Sequence, residues 1–253
     1  MKVVRQEMRG AVRWVIMDRP DSLNAFSAEL MDELADAFIE AAVDQATKVL
    51  VLTGAGRAFS AGADLKSMGG NQATPRHGLK GLLHAVIDFP KPFLIAANGL
   101  GVGIGCTLLG LADTALAAAS SRFRCPFSAL GLTAEAASTV TFARLMGYQR
   151  ASWFLLSSEW LSAEKASEYG LIHTVYPDDE LLGEVTRRAE VLAELPIASL
   201  MKTKALMTRS RNDELKVAVD LENAALDQLA GGPANKEALL AFKAKRPPDF
   251  SLL

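Results

Sequence analysis

Hydrophobic and polar positions along the chain mark strands and helices in alternation. Val3 to Met8 and Val12 to Met17 read as the first strands, joined at Arg9-Gly10; Arg19-Pro20-Asp21 then breaks the pattern. Ser27 stands where a helix cap belongs, and Leu30, Leu34, Ala37, Phe38 and Ala41 fall on one face of the helix it opens. Lys48 to Leu52 is a short apolar strand, ended by Thr53-Gly54-Ala55-Gly56. A glycine-rich segment runs on to Gly70, residues 78–87 predict a helix, and Pro90 and Pro92 bracket the next turn.

The stretch from Phe93 to Ala112 carries no charge and is long enough to span a bilayer. Gly99, Gly101, Gly103, Gly105 and Gly110 make it a poor continuous helix. It divides instead into a buried strand at Phe93–Ala97, a turn at Asn98-Gly99 and a helix from Ile104 to Leu111. A strand at Thr114–Ala119 and another around Leu171 to Val175 follow. From Asp178 the chain reads as helical, with breaks at Pro196 and Gly231-Gly232-Pro233. The pattern predicts an α/β core over residues 1–195 and a helical C-terminal region over 196–253.

Composition narrows the classes. The 253 residues are half apolar and 22% charged, enough for one large core or a domain with a subdomain. A net charge of −2 and the lack of a long basic run argue against nucleic acid as a partner. Cys106 and Cys125 make no disulfide framework and read as reduced residues of an intracellular protein. Charges near the N-terminus stand where a signal peptide needs an apolar core, and Ser251-Leu252-Leu253 is not the usual peroxisomal address. The expectation is a cytoplasmic protein with no membrane partner.

Two glycine-bearing turns each lead from a strand toward a helix: Ser60-Ala61-Gly62-Ala63-Asp64-Leu65 and Asn98 through Gly105. Glycine lets backbone approach a ligand closely, and a helix start presents unpaired N–H groups. Brought together, two such turns can hold an oxyanion; on spacing alone, two ordinary turns explain the same glycines. The second turn has the wrong spacing for a dinucleotide fingerprint, and neither a phosphate-binding lysine loop nor a hydrolase nucleophile elbow occurs. His77, His84 and His173 form no metal motif, and His84 reads as a helix-surface residue. Asp113 reads as a structural turn residue, and Cys125 as a buried small residue rather than a nucleophile.

Thr53 through Leu65 closely resembles the first signature of the enoyl-CoA hydratase/isomerase (crotonase) superfamily, and Lys91 through Gly99, running on to Asp113, resembles the second. Arg19-Pro20, Leu23-Asn24-Ala25, Leu161 through Ala166, Gly170-Leu171 and Ala241 through Arg246 add matches in order along the whole chain. The resemblance implies a crotonase-like ββα-repeat core with a helical C-terminal trimerisation region, assembled as a homotrimer or a dimer of trimers. It implies an acyl-CoA thioester substrate whose oxygen is held by the backbone N–H groups of Ala63 and Ile104. It places the coenzyme near Ala25, Ser60, Ala61, Gly62, Asp64, Leu65 and Lys66. Coenzyme A enters as part of the substrate, and neither a separate cofactor nor a metal is implied.

The acids depart from the hydratase pattern. Hydratases of the family carry glutamates at the positions of Thr107 and Phe127. Cys125 through Ser138 instead resembles the branch of peroxisomal-type Δ3,Δ2-enoyl-CoA isomerases, in which the base is a glutamate at the position of Glu135. Without that resemblance Glu135 reads as an acid in the first turn of a helix. With it, the expected activity is movement of a double bond from position 3 to position 2, with Glu135 carrying the proton. Hydration, thioester hydrolysis, decarboxylation and a non-catalytic acyl-CoA binder are the alternatives.

Overall fold

The computed structural model describes residues 2–64 and 75–251. Among these, β1 (Val4–Arg9) pairs antiparallel with β2 (Val12–Met17), and β2 runs parallel to β3 (Val49–Gly54). β5 (Phe93–Ala97), β7 (Thr114–Ala118) and β10 (Thr174–Tyr176) extend the sheet in the order β1-β2-β3-β5-β7-β10. A second sheet has the order β4-β6-β8-β9, built from β4 (Ala58–Ser60), β6 (Leu100–Val102), β8 (Arg122–Arg124) and β9 (Trp160–Ser162). Thus β3, β5 and β7 of the large sheet each lead, after a short connection, to β4, β6 and β8 of the small one. The segments that follow β4 and β6 are the two glycine-bearing turns.

The large sheet is covered on both faces, which explains its uninterrupted apolar strands. Leu50, Leu52, Phe93 and Ile95 pack with Leu30, Leu34 and Phe38 of α1 (Ala28–Val43) and with Leu83 and Val86 of α2 (Gly78–Ile87). The alternate residues Val49, Val51, Leu94 and Ala96 pack with Leu181, Val185 and Ala189 of α7 (Leu181–Glu194). Ser27 caps α1 by accepting from Leu30 N–H at 3.2 Å. Phe38 meets Phe89 and Phe93 edge-on, at 5.4 and 4.9 Å between ring centroids.

Downstream lie α3 (Ile104–Thr107), α4 (Ser138–Met146), α5 (Tyr148–Ser157) and α6 (Ala163–Glu168). The C-terminal helices are α7 (Leu181–Glu194), α8 (Ile197–Thr208), α9 (Arg211–Leu229) and α10 (Pro233–Lys243). α9 packs on α2 and α4. No described helix is long and apolar enough to cross a membrane; the uncharged Phe93–Ala112 stretch is spent on β5, β6, α3 and a 3-10 turn.

Two expectations change. The helix expected over Ile104–Leu111 is α-helical only to Thr107 and tightens to 3-10 over Leu108–Leu111. The strand expected from Leu171 starts at Thr174, because Leu171 and Ile172 both donate to Ala166 O, at 2.9 and 3.1 Å, and so close α6 instead of joining the sheet. The three-residue strands of the small sheet are too short to show a period in the sequence.

Candidate active site

The fold presses the two glycine turns together. In the first, Ala61 N–H donates to Leu23 O (2.9 Å), Phe26 N–H to Gly62 O (2.8 Å) and Asp64 N–H to Phe26 O (3.1 Å). The turn therefore lies along the Leu23–Phe26 segment like a short parallel strand. Gly62 sits at φ +88°, and a Cβ there would stand 2.8 Å from Val102 O. In the second turn Gly103, at φ +52°, donates to Arg124 O (2.9 Å) and opens α3. A Cβ on Gly103 would lie 3.8 Å from Gly62 Cα. Such an approach at such φ values requires glycine on both sides.

The next amide in each turn, Ala63 N–H in the first and Ile104 N–H in the second, has no acceptor among the described residues. Two such amides on apposed turns form a site that can accept one oxygen between them and stabilise negative charge developing on it.

A polar brace holds the first turn. Ser60 Oγ donates to Asn24 O (2.8 Å) and accepts from Gly62 N–H (3.1 Å). Asn24 is fully buried at φ +55°; it accepts from Arg19 N–H (2.9 Å) and donates to Ala55 O (2.9 Å) and Ala58 O (2.8 Å). The Arg19 guanidinium donates to Ala25 O and, at 2.8 Å, to Asp64 Oδ2. Ser60 and Asp64 thus make structural bonds that fix the segment carrying Ala63. Ala25 is buried, Ala61 half-buried and Ala63 exposed; Leu65 and Lys66 lie outside the described residues.

Glu135 completes the group. Its Oε1 lies 3.9 Å from where a Cβ of Gly103 would stand, which puts the carboxylate beside the turn that carries Ile104. Glu135 is half-buried, and its carboxyl is pushed up to about 7, first by burial and then by the negative charge of Glu222. It is not in a helix, contrary to the first-turn reading. Ala136 and Ala137 adopt φ +60° and +56°, so α4 begins only at Ser138, whose N–H donates to Glu135 O at 3.2 Å. Thr107 and Phe127 are buried, the Thr107 hydroxyl turned to Ile104 O at 3.5 Å. Cys125 is buried against Cys106 and near Glu135, and burial pushes its thiol well up, away from a reactive thiolate.

Other candidates fall outside this cluster. Asp113 accepts from Phe93 N–H (2.8 Å) and pairs with Lys204 at 2.6 Å. It lines a cleft of about 400 Å³ that shares no residue with the group around Glu135. His84 is half-buried rather than on the surface, with a buried Nε2 that has no partner among the described residues. No group of three His, Cys, Asp or Glu side chains among the described residues is arranged to hold a metal ion. Glu222 was not singled out from the sequence, where it is one of several acids in a helical segment. Its burial and its bonds to the turn beside Glu135 are what mark it.

Two apposed turns whose amides lack acceptors among the described residues, with an acid beside them, make an oxyanion site with a proton acceptor at hand. The chain belongs to the enoyl-CoA hydratase/isomerase family, whose model matches residues 7–252. It is 33% identical over 260 residues to the 1,2-epoxyphenylacetyl-CoA isomerase of Escherichia coli, covering 99% of both chains. It is 32% identical over 245 residues to the enoyl-CoA delta isomerase 2 of Rattus norvegicus, with 94% of this chain and 62% of that protein covered. A crystal structure of an enoyl-CoA hydratase/isomerase from Pseudoalteromonas atlantica superposes with a TM-score of 0.94 at 30% identity, over 99% of this chain and 100% of the other. Relatives of similar identity also carry hydratase names.

Proposed function

We propose that this protein converts 3-enoyl-CoA thioesters to the conjugated 2-enoyl-CoA, with Glu135 as the proton shuttle. The observation that carries the reading is the Glu135 carboxylate beside Gly103, while Thr107 and Phe127 occupy the two positions where the family's hydratases keep acids. The name of the rat relative, an enoyl-CoA delta isomerase, supports the same reaction.

The steps need one base and one oxyanion site. The thioester oxygen accepts from Ala63 N–H and Ile104 N–H, which acidifies the protons on carbon 2. Ionised Glu135 takes one of them, and the electron pair moves onto the oxygen as a dienolate. Protonated Glu135 then gives the proton to carbon 4, the oxygen's charge returns to the carbonyl, and the double bond lies between carbons 2 and 3. A carboxyl near 7 suits both halves, since the same group must take and return the proton near neutral pH. Ala25, Ser60, Ala61, Gly62, Asp64, Leu65 and Lys66 are proposed to line the path of the coenzyme. No cofactor beyond the substrate's own coenzyme A is needed.

We also propose assembly as a homotrimer or a dimer of trimers. Exposed apolar side chains on the C-terminal helices, among them Leu206, Met207, Leu221, Leu240 and Phe242, support burial against further copies. A concentration-independent monomer in light scattering would contradict this.

The reaction is tested by assaying one preparation with a 3-enoyl-CoA and with a 2-enoyl-CoA, following conjugation and hydration separately. The reading predicts rapid conjugation and poor hydration, because neither a threonine hydroxyl nor a phenylalanine ring can activate water as a carboxylate does. Efficient hydration with no conjugation would assign a hydratase instead. Acyl-CoA binding with neither reaction would assign a binder.

A further inference from the structure

Glu222 is a buried acid that the chemistry above does not use. It lies on α9, only 5% exposed, and reaches the segment between Glu135 and α4. Oε2 accepts from Ala137 N–H at 2.6 Å; Oε1 accepts from Thr139 N–H at 3.1 Å and from Thr139 Oγ1 at 2.6 Å. The turn it grips at Ala137 is strained: Ala136 and Ala137 both lie at positive φ, a region that a Cβ disfavours. Two such residues in succession persist only where the surroundings over-determine them. The ion pairs of α9 among the described residues use Glu214, Lys216 and Asp220, so Glu222 has three donors and no counter-ion.

We propose that Glu222 is a positioning residue for the base: its carboxylate locks the Ala136–Ala137 turn so that the Glu135 side chain stands beside Gly103. The proposal rests on the reading of Glu135 as the base. The turn is the only covalent link between Glu135 and α4, so its conformation sets where the Glu135 side chain leaves the backbone. Glu222 also acts through its charge, since a second negative group nearby disfavours ionisation of Glu135. Of the elements packed on α9, Lys80 of α2 and Asp88 just past its end pair with Asp220 and Lys216, Arg144 of α4 pairs with Glu214, and Lys204 of α8 pairs with Asp113, while Lys202 of α8 is exposed; α4 offers the turn two Thr139 donors. His84 is the remaining titratable group on α2, and its charge bears on Asp220.

The test compares Glu222→Gln and Glu222→Asp with the native enzyme. Glutamine puts an NH2 donor where one carboxylate oxygen stood, so either the Ala137 or the Thr139 amide loses its acceptor, and it carries no charge. Its kcat for conjugation should fall about 10- to 100-fold, the cost of a base displaced by a fraction of an ångström to an ångström, with KM little changed. Titration of the Glu135 side-chain carboxyl by carbon-13 NMR, assigned with Glu135→Gln, should show its midpoint moving to lower pH in Glu222→Gln. Aspartate keeps the charge but has a shorter reach, so its midpoint should stay raised while kcat falls. Native kcat and an unmoved midpoint in Glu222→Gln would overturn the proposal. If the glutamine variant does not fold, native kcat in the aspartate variant would overturn it equally. The NMR midpoint is read without turnover, so failure of Glu222 to influence Glu135 is distinguishable from failure of Glu135 as the base.

Discussion

Glu135 Oε1 lies 3.9 Å from the position a Cβ on Gly103 would take, so the acid stands beside the turn that leads to the Ile104 amide. This proximity is what the proposed chemistry needs, a proton acceptor beside an oxyanion site. It leads to a pH dependence. The base must be ionised, and its carboxyl is pushed up to about 7 by burial and by Glu222. The rate of conjugation at low substrate should therefore rise as pH increases through about 7, instead of being flat above the usual carboxylate range. A pH–rate profile that is level from pH 5 to 9, a range chosen to bracket about two pH units either side of the midpoint, would contradict the assignment.

The same shift has a consequence for stability. An acid held above its unfolded value of 4.5 favours the folded state below that pH and loses that advantage as pH rises through about 7. Native protein should thus bear a cost of about 3 kcal/mol at pH 8 from ionising Glu135 in place. Glu135→Gln removes the ionisation, so its melting temperature should exceed that of the native protein at pH 8, with the difference shrinking toward pH 4.5. Parallel melting curves at both pH values check the sign.

Gly62→Ala should separate the two turns. The added Cβ would meet Val102 O at 2.8 Å and would hold the residue at φ +88°. Backbone strain alone costs about 1–3 kcal/mol. The Ala63 amide must move with it, so kcat should drop by at least about tenfold even in protein that remains folded. Urea unfolding and turnover measured on the same preparation separate the two effects.

Arg19→Met keeps the length of the side chain but removes its bonds to Ala25 O and Asp64 Oδ2. Loss of these charge-assisted bonds should cost about 1–3 kcal/mol in stability. Because they brace the segment that carries Ala63, KM for acyl-CoA should rise as well. Unchanged stability and KM would show that Asn24 and Ser60 suffice to hold the turn.

Much of this arrangement was legible in the sequence, for physical reasons. β3 and β5 are buried on both faces, so they appear as unbroken apolar runs, and Ser27 caps α1 as its position before the helical face predicts. The glycines of the two turns mark positions that no side chain fits, though spacing alone did not say that Gly62 would meet Val102 and Gly103. The small sheet stayed hidden because its strands are three residues long. The start of α4 was misplaced because Ala136 and Ala137 are good helix formers held in the left-handed region, a conformation alanine does not announce. The restraint comes from Glu222, distant in sequence, and only the packing of α9 reveals it.

The most direct measurement is turnover and acyl-CoA binding in Glu135→Gln. Glutamine keeps the size of the side chain and its hydrogen bonding but cannot take a proton from carbon 2. Loss of one well-placed acid–base group lowers a rate by about 10²–10⁴. Binding should be little changed, because the Ala63 and Ile104 amides belong to other segments. The account predicts collapse of conjugation with binding intact, and near-native turnover in this variant would contradict it.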